Sequence, residues 1–153
     1  MKCASIGTIG ASSNEPDKLA GDFVDTLKTY LARDKDKTRK DEVRRVMAEY
    51  EKALAAGNEE AIARMTEEEL PELFTLYCAP YLNFGEVDGA FGFYPDIETL
   101  QEDARAEDGV LQIEAGDEWA GRSTGFNFVM EVNDHGNVSL FATNPKRLMW
   151  DCV

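Results

Sequence analysis

The hydrophobic period of this chain changes from about 3.6 residues in its first half to 2 in its second, which points to helices first and a sheet after. Leu19, Phe23, Leu27, Tyr30 and Leu31 recur at helical spacing, opposite Lys18, Asp22, Asp25 and Lys28. Ahead of them, Asn14-Glu15-Pro16-Asp17 supplies an N-cap, an early proline and acids suited to the positive end of a helix. The spacing predicts a second helix from about Thr38 to Ala56, with Val43, Val46, Met47, Tyr50 and Leu54 on its apolar stripe and Gly57 as its stop. Asn58 reads as the cap of a third, short helix carrying Ala61, Ile62 and Met65. Thr66-Glu67-Glu68-Glu69 has capping-box spacing, yet Pro71 follows five residues after Thr66. That conflict predicts a break, with Pro71 opening a new short helix that runs to about Cys78.

The strongest β signal lies further on. Phe126, Phe128, Met130 and Val132 alternate, Asn133-Asp134-His135-Gly136-Asn137 turns, and Val138-Ser139-Leu140-Phe141-Ala142 returns. Asn144-Pro145 is expected to end this hairpin. Before it, Pro95 to Leu100 begins a helix that stops near Asp108-Gly109, and Val110, Leu111 and Ile113 suggest a strand. The expectation is one α+β domain over residues 1–153, with N-terminal helices (about 14–78) packed on a small antiparallel sheet (about 81–143). Phe128, Met130 and Leu140 are expected in its core.

Seven of the fifteen aromatic residues fall within 74–94, interleaved with Gly85, Gly89 and Gly92. Two readings compete. The rings complete the core, or they form an interface loop, since aromatics supply much of the energy of protein contacts.

Chemistry is harder to find. The single histidine, His135, sits in the hairpin turn beside Asp134, and adjacent strand residues point to opposite faces. Cys78 and the serines lack any recognisable nucleophile setting. No zinc spacing exists, and Glu86-Val87-Asp88-Gly89 is only a fragment of a calcium loop. Gly7-Thr8-Ile9-Gly10 is too short for a dinucleotide fingerprint. Catalysis, metal and cofactor are therefore not expected. Three cysteines, Cys3, Cys78 and Cys152, fit a reduced cytoplasmic compartment better than a disulfide scaffold. No run approaches the 18 apolar residues of a membrane span.

Charge is more informative. The chain has 30 acidic and 16 basic side chains, net −14, which disfavours bare nucleic acid and anionic membranes as partners. Residues 35–47 hold six basic and three acidic side chains, whereas 48–136 hold four basic and 21 acidic, net −17. Such a body suits a basic partner; the bland alternative is solubility. Duplex DNA as long as a globule of this size, roughly 38 Å across, carries about 22 charges. Mimicry would thus require the acids to gather on one face, whereas steering needs less.

The segment Glu131-Val132-Asn133-Asp134-His135-Gly136-Asn137-Val138 resembles a hairpin of small phage and prophage accessory proteins. In size and acidity the chain is similar to anti-CRISPR proteins. The resemblance implies an inhibitor, encoded by a phage or mobile element, that binds a basic surface on a host nucleic-acid-targeting complex, by partial nucleic-acid mimicry or by steering. The partner would be a host protein or ribonucleoprotein in the cytoplasm, with no direct nucleic-acid contact. Proximity to the aromatic stretch nominates Glu67, Glu68, Glu69, Tyr81, Phe84, Glu86, Asp88 and Phe91 as binding residues. The alternatives are an accessory protein whose acidity serves solubility, a self-associating structural protein, and a small enzyme.

Overall fold

In a computed structural model, which describes residues 6–11, 16–119 and 121–152, the chain divides into two compact units. One comprises Met1–Ala79 and Asn83–Tyr94; the other comprises Pro80–Leu82 and Pro95–Val153. The class is α+β, as the change of hydrophobic period implies.

In the first unit, helix α1 (Pro16–Arg33) buries Leu19, Phe23, Val24 and Leu27, one side of the expected stripe. Helix α2 (Lys37–Ala55) is capped by Asp36, whose carboxylate accepts from the Arg39 backbone N–H at 3.1 Å. It buries Val43, Val46, Met47 and Tyr50, while Leu54 at the end of the stripe stays exposed. Gly57, at φ +63°, takes the left-handed conformation that stops a helix. Asn58 then caps α3 (Glu59–Arg64) by accepting from Ala61 N–H at 3.1 Å.

The break expected at Pro71 does not occur. A π-helical turn, Met65–Glu69, joins α3 directly to α4 (Leu70–Thr75). Thr66 caps nothing: its hydroxyl donates to the Ile62 carbonyl at 2.7 Å, inside the helix. The extra residue in the turn shifts the carbonyls out of α register just ahead of the proline ring, so the helix passes Pro71 unbroken.

Strand β1 (Gly7–Ala11) was not anticipated, because its two glycines hide any alternation. It pairs antiparallel with β3 (Ala90–Pro95), and the sheet order is β1-β3-β2, with β2 at Leu82–Val87. Gly92 is required there, since a Cβ would overlap the Gly7 carbonyl oxygen. Asp88 and Gly89, at φ +51° and +77°, turn β2 into β3, so the apparent calcium fragment is a hairpin turn. Phe23, Phe74, Phe84, Phe91 and Phe93 form one aromatic cluster, with Phe74 stacked on Phe84 at 4.4 Å and Phe23 edge-on to Phe74 at 5.4 Å.

In the second unit, Asp96 caps α5 (Ile97–Arg105), which buries Leu100 and Ala104. The strands β4 (Val110–Glu114), β5 (Phe128–Val132), β6 (Val138–Thr143) and β7 (Lys146–Cys152) lie side by side in that order. Two expectations need correction. The sheet is mixed, because β4 runs parallel to β5. The sheet also does not stop near residue 143: Asn144-Pro145, joined by a cis bond, ends the β5–β6 hairpin as expected but turns the chain into a further strand, β7. The β5–β6 hairpin forms as expected. The Asn133 side-chain oxygen accepts from His135 N–H at 3.0 Å and Asn137 N–H at 2.9 Å, and Gly136 sits at φ +80°.

Met130 and Leu140 are fully buried, but Phe128 is only partly so and leans edge-on against Tyr81. Val129 is buried as well, on the opposite face, where Ile113 and Trp119 cover it. Both faces of β5 are therefore packed, which period-2 reasoning does not foresee.

Candidate functional site

A buried ion pair stands at the corner between α1 and α2, upstream of the candidate site. Arg39 donates to the Asp34 carboxylate through Nε and Nη2, each at 2.6 Å. Asp34 also accepts from the Asp36 N–H at 2.9 Å, and the Arg39 guanidinium lies 5.2 Å from the centre of the Tyr77 ring. The Asp34 side chain is wholly buried and that of Arg39 is 19% exposed. Arg39 holds the Asp34 carboxyl well below the usual carboxylate range, against the opposing effect of burial; Asp36 N–H and Tyr77 push the same way. A bidentate pair of this kind fixes direction as well as contact, so it sets where α2 leaves the corner.

Downstream, α2 lies along the π-turn and α4, leaving a groove of about 400 Å³. Its floor is apolar: Val46, Leu73 and Leu76. Its rim carries Glu42 and Glu49 from α2, Glu69 from the π-turn and Glu72 from α4. Among the described residues lining it, Arg45 is the one cation, and it pairs with Glu49 at 3.1 Å. Glu69 is paired with Arg64 at 3.1 Å, while Glu42 and Glu72 are solvent-exposed. An apolar floor under a carboxylate rim suits a lysine or arginine side chain, which needs apolar contact for its stem and an acceptor for its head.

Of the acids nominated from sequence, Glu69 lines this groove, and Glu67 and Glu68 are exposed on the same π-turn. Glu86 is exposed at the end of β2 and Asp88 in the β2–β3 turn, on a different element. The aromatics are placed otherwise than an interface loop would have them. Phe84 and Phe91 pack into the cluster around Phe23, and Tyr81 belongs to the other unit. The Tyr81 hydroxyl donates to Asp103 at 2.6 Å. Burial, and then the carboxylate that accepts its proton, push that hydroxyl well above the ordinary phenol range. Sequence reasoning passed over Glu42, Glu49 and Glu72. The signal was there: Glu42, Arg45, Val46 and Glu49 stand at i, i+3, i+4 and i+7, one face of a helix.

His135 and Asp134 are 80% and 86% exposed and 3.7 Å apart, and among the described residues no third group orients the ring. The Cys78 thiol, just past the end of α4, donates to the Phe74 carbonyl four residues back at 3.7 Å. Cys3 lies outside the described residues. Among the described residues no cluster of His, Cys, Asp and Glu has metal-site geometry, and no helix is long and apolar enough to cross a membrane. No family model, curated protein sequence or solved structure matches the chain. The chemistry of the groove is accordingly the guide to function.

Proposed function

We propose that this protein is an inhibitor of the anti-CRISPR kind, phage- or mobile-element-encoded, which docks on a basic surface of a host nucleic-acid-targeting complex. The observation that carries the reading is the groove between α2 and α4, where four glutamates rim an apolar floor. Side chains that grip a nucleic-acid backbone are lysines and arginines, and those are the residues such a groove accepts. The acids steer the encounter, and contact of basic stems with Val46, Leu73 and Leu76 contributes affinity. Steering asks less of the arrangement of the acids than full mimicry, which needs them gathered on one face.

The test is inhibition of target cleavage by a panel of purified CRISPR effector ribonucleoproteins. The wild-type chain is expected to inhibit at least one of them. A Glu42→Lys, Glu72→Lys double variant should need about tenfold or more protein for the same effect, two rim charges at roughly 1 kcal/mol each being enough. Inhibition of none, or equal inhibition by the variant, would overturn the proposal.

A further inference from the structure

β7 is the last strand of its sheet, so among the described residues no strand pairs with its outer edge. Lys146, Arg147, Leu148 and Asp151 along it are exposed, with Leu148 at 51%. An edge strand with open backbone groups is a template for another strand. Lysines and bulges on such an edge commonly discourage pairing, and β7 has both: its register with β6 shifts between Leu140 and Phe141. Here, however, the charges are sorted by position. Both cations stand at the start of the strand and the one anion near its end.

We propose that β7 pairs antiparallel with β7 of a second copy, making one continuous sheet across a two-fold axis. The register follows from the faces. Lys146, Leu148 and Asp151 stand opposite Thr143, Phe141 and Ser139, alternate residues of β6, so they share one face; Arg147 and Trp150 stand opposite Ala142 and Leu140, on the other. Setting Lys146 opposite Asp151 of the second copy also sets Arg147 opposite its Trp150 and Leu148 opposite its Met149. The Lys146–Asp151 and Arg147–Trp150 pairs then lie on matching faces, and the two-fold makes each pair twice, with the bulge residue Met149 left at the centre. A slip of one residue puts side chains of opposite faces across from one another. The parallel alternative sets Lys146 and Arg147 against their own like, which is unfavourable. The charges therefore select an orientation and a register, with Leu148 and Met149 at the centre.

This surface is independent of the groove between α2 and α4, so either proposal can fail without the other. The experiment is sedimentation velocity on the full chain over a range of concentrations at physiological salt. Wild type is expected to show a concentration-dependent dimer. Asp151→Lys should weaken it about tenfold or more, because two favourable cross-strand pairs per dimer become two repulsive ones. Asp151→Lys leaves intact the contact of the Lys146 ammonium with the Trp119 ring, 4.1 Å from its centre, so loss of fold does not confuse the result. Far-UV circular dichroism checks this. A monomer at every concentration, or an association indifferent to Asp151→Lys, would overturn the proposal.

Discussion

At the residue scale the arrangement with most at stake is the buried pair of Asp34 and Arg39. Removing one partner of such a pair leaves a charge without compensation in a place water does not reach. Arg39→Met is expected to cost about 3–5 kcal/mol, read from urea unfolding of the variant against wild type. The pH dependence has a definite sign. The Asp34 carboxyl is held below its unfolded value, so its contribution is fully present above about pH 4. It is lost as pH falls further, toward the lowered folded value. In Arg39→Met that low-pH loss of stability should be largely absent, which distinguishes an electrostatic role from packing alone. Neither residue stands out in sequence, where Asp34 is one charge in a run of seven between 33 and 40. Burial, not composition, gives it its role.

At the scale of elements, what was legible is what depends on local periodicity. α1, α2 and the β5–β6 hairpin each carry several apolar residues at the right spacing, and caps such as Asn58 and Asn133 are short-range chemistry. What was hidden depends on partners distant in sequence. β1 becomes a strand because β3 lies 80 residues away to receive it. The π-turn reconciles Thr66 with Pro71 by a register change that no propensity encodes, and β7 exists because a two-residue turn reverses the chain at Asn144-Pro145. The same contrast separates Phe128 from Leu140. Alternation alone makes them equal, whereas the sheet buries Leu140 completely and leaves Phe128 part exposed. Leu140→Ala is expected to cost about 2–5 kcal/mol, and Phe128→Ala less than the roughly 3–5 kcal/mol of a fully buried phenylalanine. Thermal or denaturant melts of the two variants would rank them. A larger loss for Phe128→Ala would mean that the partly exposed side of β5 is the more tightly packed one.

For the whole molecule, the candidate site was only partly visible in the sequence. The charge excess pointed to acids, and Glu69 was among those nominated, but closeness in sequence to an aromatic stretch was the wrong guide to its neighbours. The rings at Phe84 and Phe91 are taken up by the cluster around Phe23, while Glu42 and Glu49 reach the groove from a helix some 20 residues earlier. A net charge of −14 favours solubility and steers the chain toward basic surfaces at the same time, so acidity alone does not separate function from solubility. The groove makes the separation possible, because it ties function to named glutamates while solubility depends only on the total. The most direct measurement is the association rate with an inhibited effector complex, taken over a salt series for wild type and for Glu42→Gln, Glu72→Gln. As the screening length shrinks from about 30 Å at 10 mM salt to about 8 Å near physiological strength, the wild-type rate should fall about tenfold or more. The variant should start slower at low salt and fall less steeply. A wild-type rate indifferent to salt, or a variant that follows wild type throughout, would contradict docking of the glutamate-rimmed groove on a basic surface.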